Sequence, residues 1–443
     1  MTTVDAQAPA ATTPLVEQVA GEVTARLLDR TGQDPPRALA TDEEGEYRRR
    51  VGAIADEVLD AMAADSLSRG STVLTRAQED DVRAHVVARV CGLGGLEPLL
   101  AEPGVQNILI TGERVIVDFG GGHREPRPPV ATNDAELIGL VRRIAASSAS
   151  GERRFDAAAP LLSMELPDGS RLSAVMDVAR RVAVAIRRHP SESLGLHALQ
   201  ESGMLDDTSR GLLEAAVSAR MNLLIAGATG AGKTTLLRAL ALETFGPWER
   251  VITVEDSLEL NLDEDARSDC VALQARPANI EGAGEVTLAE LVRHALRMAP
   301  DRVIVGETRG TETIALLNAM SMGTDGSMAT VHAGSSEQAF TKLAAYTAQA
   351  PERLSLEATN LLIASAVHLV AHITTAPGGR RRLASVREVI GAEGGQVVSN
   401  EIYRRTGDDP GALVVPPGPE RAAALASCGF DSAAAFAPTG GTW

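Results

Sequence analysis

The chain has 443 residues, 44% of them hydrophobic but only 2% aromatic, and a formal net charge of −17. This length allows about two to three domains with cores built mainly from Ala, Val, Leu and Ile. The acidic balance argues against a sequence-independent grip on nucleic acid, which needs a surplus of Lys and Arg. Three scattered cysteines, Cys91, Cys270 and Cys428, with no CxxC pair, argue against a zinc site and a disulfide framework and fit a reducing cytoplasm.

In chain order, residues 1–46 read as a flexible N-terminal segment, because 1–14 are Ala, Thr and Pro and 31–46 are polar. Between them Leu15, Val19, Val23 and Leu27 recur at helical spacing and predict a short amphipathic helix. Residues 47–93 predict two further helices, the second opened by Thr75 and Gln78 in capping-box spacing. Residues 94–190 predict an α+β domain. Its expected strands are VQNILIT (105–111), RVIVD (114–118), two runs around Pro167-Asp168-Gly169, and VAVAIRR (182–188), with a helix over 136–148. Residues 191–207 read as a linker.

From 208 to 407 short Val- and Ile-rich runs alternate with helical stretches: 222–227, 251–256, 302–307 and 327–333, with closing strands near 366–375, 383–390 and 396–403. Such alternation predicts a mostly parallel sheet covered by helices. The tail, 408–443, rich in Pro, Gly and Ala, reads as a candidate mobile end. No window reaches the ~18 consecutive apolar residues of a membrane span, and the start lacks the basic and apolar regions of a signal peptide. No direct membrane span is expected.

Chemistry concentrates in the second half. Gly227, Ala228, Thr229, Gly230, Ala231, Gly232, Lys233 and Thr234, followed by Thr235, match the phosphate-binding P-loop in full, between an apolar strand and a helix. The glycines let backbone N–H groups and the helix N-terminus face phosphates; Lys233 suits the β- and γ-phosphates and Thr234 a magnesium ion. ATP and Mg²⁺ are the cofactors this implies. Glu307 ends the strand RVIVGE, where a carboxylate can orient the attacking water. Glu255 and Asp256 end VITVED, a strand expected beside the P-loop strand, and suit magnesium or proton transfer as well as helix capping. His332 ends SMATVHA, where a sensor or γ-phosphate contact is one reading; by itself a lone His in an apolar run is more often a satisfied core residue.

The order P-loop, VEDSLEL, RPANIEGAGEVTLAELVRHALRMAPDRVIVGETRG and GTDGSMATVHAGS resembles the type II/type IV secretion ATPase superfamily, specifically the CpaF-like group of tight-adherence (Tad/Flp) pilus assembly, over residues 90–375. The resemblance implies a C-terminal RecA-like ATPase domain preceded by the α+β domain and a small helical region. It makes residues 227–235 the Walker A motif, Glu255 and Asp256 the Asp box, Glu307 the catalytic Walker B glutamate and His332 the His box. It offers Arg171 and Arg187 as phosphate contacts from the preceding domain or a neighbouring subunit, with Arg276 as a weaker candidate. Arg293 and Arg297, four apart on one predicted helix, face a neighbour or water.

It further implies a homo-oligomer of six subunits, docked from the cytoplasm on inner-membrane platform proteins and driven by ATP hydrolysis. Two departures stand out: no arginine follows Arg297-Met298-Ala299, and the His box reads TDGSMATVHAGS. A conjugative or effector type IV secretion ATPase shares all these motifs, and a non-hydrolysing nucleotide-binding scaffold shares the P-loop. The type II branch fits less well, because its members often carry a tetracysteine module.

Overall fold

The computed structural model describes residues 12–31, 41–91, 93–120, 122–146, 154–166, 168–188, 194–263, 269–276, 278, 282–376, 379–407 and 409–436. Residues 1–11 and 32–40 of the expected flexible segment, Pro167 of the expected turn, 191–193 of the expected linker and the end of the tail, 437–443, lie outside them. The chain divides into two compact units, Met1–His189 and Pro190–Trp443.

The first unit opens with helices α1 (Thr12–Thr31), α2 (Thr41–Ser68) and α3 (Arg76–Cys91). Val19, Val23 and Leu27, spaced for one helix face, pack against Ile54, Val58, Val82 and Val86 in a core of their own. α2 starts at Thr41, inside the stretch whose polarity reads as flexible; among its described residues Tyr47 already packs against the core and Val51 is fully buried. Thr75 and Gln78 cap α3 reciprocally, Gln78 Oε1 accepting from the Thr75 N–H at 2.9 Å.

After a single 3₁₀ turn come α4 (Glu97–Ala101), β1 (Asn107–Thr111), β2 (Arg114–Gly120), β3 (His123–Arg127), α5 (Asp134–Ala146), β4 (Leu161–Glu165), β5 (Arg171–Val175) and β6 (Ala183–Arg187). The strands form an antiparallel six-stranded sheet of order β3-β2-β1-β6-β5-β4. Alternate residues such as Ile108, Val117, Leu172 and Ile186 share a core with Leu137, Val141 and Ile144 of α5. β3, HREPR, is not foreseen: it is a charged edge strand containing Pro126, without apolar alternation.

In the second unit α6 (Leu196–Glu201) and α7 (Asp207–Ser218) precede β7 (Leu223–Gly227), α8 (Lys233–Thr244), β8 (Arg250–Glu255) and β9 (Asp269–Gln274). There follow α9 (Leu288–Ala295), β10 (Arg302–Thr308), α10 (Glu312–Ser321), β11 (Met328–His332), α11 (Gln338–Thr347) and α12 (Leu356–Ala366). β12 (Leu369–Thr375), β13 (Arg381–Glu393), β14 (Gln396–Arg404), β15 (Ala412–Leu413), α13 (Pro419–Ser427) and α14 (Ser432–Ala435) complete the unit.

These strands make one nine-stranded sheet of order β15-β14-β13-β12-β7-β11-β10-β8-β9. From β12 to β9 every pairing is parallel; β13, β14 and β15 are antiparallel. Both faces are covered: Leu223 and Ile225 of β7 pack toward α7 and α8, and Leu224 and Ala226 toward α10 and α12. The fold is thus α/β with a doubly covered, mainly parallel sheet.

Three expectations change here. β8 does not adjoin β7; β11 and β10 lie between them, so sequence-consecutive strands are not neighbours in this crossover. α9 stops at Ala295, so Arg297 lies beyond it; Ala299, before Pro300, adopts a φ of 53°, which no helix accommodates. Within the tail, residues 412–436 hold a strand and two helices, because Leu413, Leu425 and Phe430 are buried in the α7–α8 core. Among the described residues, no single helix is long and apolar enough to cross a membrane.

Candidate functional site

β7 is buried along its length and ends at Gly227, where the chain turns into the loop 228–232 and then α8. Ala228, Thr229 and Gly230 are exposed at the crest while Ala231 anchors the loop in the core. Gly230 and Gly232 have φ of 72° and 94°, the left-handed region that costs glycine little. At Gly227 the reason for glycine is contact: a Cβ would stand 2.7 Å from the Ile373 carbonyl oxygen of β12. The result is a concave backbone at a helix N-terminus, the shape and polarity that receive an anion. Thr234 and Thr235 are half-buried in the first turn of α8.

Lys233 is buried under this loop and donates to the carbonyls of Gly227 (3.2 Å) and Ala228 (3.0 Å). Its Nζ also lies 3.1 Å from Nδ1 of His332. A lysine ammonium can only donate, so Nδ1 accepts and the imidazole proton sits on Nε2. That nitrogen is 2.8 Å from Oε1 of Glu307. Lys233, His332 and Glu307 therefore form one hydrogen-bonded chain from the loop to β10. The parallel register explains why they meet: His332 lies opposite Gly227, and β10 is the next strand beyond β11.

Glu255 stands at the same sheet edge, at the end of β8, and is 3% exposed. Its Oε2 accepts from the backbone N–H groups of Glu259 (2.9 Å) and Leu260 (3.0 Å); Oε1 has no hydrogen-bond partner among the described residues. Burial pushes its carboxyl up to about 7, against the pull of those two N–H groups. It leans over Gly306, where a Cβ would stand 2.9 Å from Glu255 Cγ. Asp256 pairs with Arg309, and Glu312 holds the following turn through the N–H groups of Arg309 (2.6 Å) and Gly310 (2.8 Å). Thr330 steadies β10 by donating to the Gly306 carbonyl at 2.6 Å.

The structure thus gathers Gly227–Thr235, Glu255, Glu307 and His332 at one edge of one sheet. Among the described residues no group of three or more His, Cys, Asp or Glu side chains is arranged to hold a metal ion. The donor set that suits magnesium is the Thr234 hydroxyl together with a nucleotide's own oxygens, and Asp256 is engaged by Arg309. Arg276 donates to the Gly284 carbonyl at 2.8 Å within its own loop. Arg171 and Arg187 belong to the first unit, where they are direct cross-strand partners on β5 and β6. Glu312 escaped the sequence reading; the acidic residue opening α10 was the available signal.

The model of the family described as Type II/IV secretion system protein matches residues 133–406. The chain belongs to this family. A Mycobacterium tuberculosis protein, provisionally named as a conjugal transfer protein, is 38% identical over 68% of this chain and 86% of its own length. Conjugal transfer protein TrbB of Rhizobium radiobacter is 33% identical over 58% of this chain and 74% of its own. Among solved structures, the VirB11 ATPase of the Brucella suis type IV secretion system is 27% identical, covering 66% of this chain and 95% of that one, with a TM-score of 0.36. Residues 227–332, which bring Gly227–Thr235, Glu255, Glu307 and His332 to one sheet edge, lie within the stretch that the family model matches.

Proposed function

We propose that this protein is an ATP-hydrolysing hexameric motor of a bacterial secretion or pilus-assembly machine, working at the cytoplasmic face of the inner membrane through platform proteins. The observation that carries the reading is the continuous chain Lys233–His332–Glu307 beneath a complete P-loop. The loop N–H groups and Lys233 bind the phosphates, and Thr234 holds magnesium, which neutralises phosphate charge when bound. Glu307 accepts a hydrogen bond from water and aims its oxygen at the γ-phosphorus. As that bond forms, the bond to the β–γ bridging oxygen breaks, giving ADP and inorganic phosphate. His332 fixes the Glu307 carboxylate and senses whether Lys233 has turned to a phosphate. Glu255 acts behind Glu307 as a proton acceptor, and Arg171, Arg187 and Arg276 serve as further phosphate contacts.

Within the family, the order and wording of the motifs favour Tad/Flp pilus assembly. The names of the relatives reported above favour a second reading, a conjugative or effector type IV secretion ATPase. Neighbouring genes for prepilin and two platform proteins support the first, and genes for a relaxase and coupling protein the second.

The decisive experiment follows magnesium-dependent ATP turnover of the whole protein against concentration while its mass is monitored, beside Lys233→Ala and Glu307→Gln. Turnover that rises with ring formation and falls at least ~100-fold in both variants is the expected result. ATP binding lost in Lys233→Ala, with no turnover in the intact ring, would instead identify a nucleotide-binding scaffold.

A further inference from the structure

We propose that Arg381 is a nucleotide-binding residue, contacting the α- and β-phosphates from the strand next but one to the P-loop strand. The inference rests on the ATP-binding reading and deepens it, since it adds a cation from β13 to Lys233 and the arginines already named.

Three observations place it. First, β12 pairs with β7 so that Ile373 lies opposite Gly227, and β13 pairs with β12 so that Arg381 lies opposite Thr375. Arg381 therefore stands just past the carboxyl ends of the parallel strands, the edge at which open α/β sheets take their ligands. Second, its side chain runs to the loop. A Cβ on Gly232 would stand 3.4 Å from Arg381 Cδ and 2.7 Å from Met204 Cε. The buried Met204 is fixed there by its backbone, whose carbonyl accepts from Leu383 N–H at 2.8 Å. The guanidinium, carried on Cδ, is within reach of the loop's outer rim.

Third, Arg381 differs from the arginines around it. Arg382 donates to the Gly407 carbonyl, and Arg405 to those of Gly203 (2.9 Å) and Asp409 (3.0 Å). Those two fasten the loop after β14. Arg381 is exposed, and among the described residues no side-chain hydrogen bond or ion pair engages it. A guanidinium with no partner among the described residues, beside a phosphate cradle in a chain of net charge −17, has the geometry and chemistry of an anion contact.

Its position selects which phosphates. The last glycine of a P-loop borders the α- and β-phosphates, whereas the lysine reaches the β and γ. His332 and Glu307 lie on the Lys233 side. A contact at Gly232 is made equally to ADP and ATP and persists unchanged through hydrolysis. It contributes uniform binding, which appears in KM far more than in kcat.

The test is titration of the full-length protein with ADP and with ATP, magnesium present, for wild type, Arg381→Ala, Arg381→Lys and Lys233→Ala, with steady-state turnover alongside. Arg381→Ala should weaken both nucleotides by a similar factor of about 10, the usual worth of one charge-assisted hydrogen bond. KM should rise with it, with most of the loss in KM, and Arg381→Lys should recover part of the affinity. Thermal melting of Arg381→Ala close to wild type shows that the fold is intact. Loss of binding in Lys233→Ala beside affinities within twofold of wild type in Arg381→Ala overturns this inference and leaves the ATPase reading standing. A loss confined to ATP also overturns it, by moving the contact to the γ-phosphate. Failure of wild type to bind either nucleotide overturns both.

Discussion

Glu255 is buried with one oxygen holding two backbone N–H groups and the other holding none. Its carboxyl titrates near 7 rather than at the ordinary 4.5 because burial penalises the charged form. A raised carboxyl means that the folded protein binds the proton more tightly than the unfolded chain. Stability is therefore greatest with respect to this group below about pH 4.5 and declines as pH rises toward 7. The cost at pH 8 is on the order of 3 kcal/mol. Glu255→Gln should flatten the fall in melting temperature between pH 5 and 8 and melt above wild type at pH 8, as read by calorimetry. An unchanged pH slope would show that the carboxylate is already solvated. The price of keeping such a group is consistent with a proton acceptor poised behind Glu307.

At the scale of elements, the tail is the part whose composition misled. Ala, Pro and Gly dominate 408–443, and the apolar residues that fold it, Leu413, Leu425 and Phe430, are too widely spaced for a period to show. They nonetheless enter the core around Leu212, Leu236 and Tyr403. Asp206 adds a polar tie: it caps α7 through Ser209 N–H at 2.8 Å and accepts from the Tyr403 hydroxyl (2.7 Å) and Gly411 N–H (2.6 Å). Truncation after residue 411 should cost at least ~3 kcal/mol, since the three buried side chains Leu413, Leu425 and Phe430 are lost with their strand and helices, measured by denaturant unfolding. A change below about 1 kcal/mol would mean that these contacts are marginal. The helices and central strands were legible because their apolar residues recur at periods of 3.6 or 2, and the P-loop because its spacing is fixed by phosphate geometry. The strands β3 and β9 were not: both are edge strands, and β9 (DCVALQ) is only partly buried, so neither needs a strong pattern. The meeting of Lys233, His332 and Glu307 was not legible either, since strand order decides it and sequence order does not.

For the whole molecule, the two units have separate cores, and no residue of the α5 core recurs in the cores that sandwich the nine-stranded sheet. Residues 190–443 should therefore fold when expressed alone, with cooperative thermal unfolding, and retain nucleotide binding that Lys233→Ala abolishes. An unfolded fragment by circular dichroism would show that the first unit supplies part of its stability. In the first unit Arg171 lies opposite Arg187 of β6 on one side and Glu165 of β4 on the other, so a carboxylate adjoins the two like charges.

The neighbours of β7 carry one more consequence. Both its partners, β11 and β12, lie about a hundred residues or more downstream of Gly227. The strand that bears the phosphate loop cannot be hydrogen-bonded on either side until most of the unit has been synthesised and brought back to it. Long-range parallel pairing of this kind sets a slow folding rate. A cradle completed only by such pairings is expected to form late, so a nucleotide that binds it should slow unfolding and leave the folding rate unchanged.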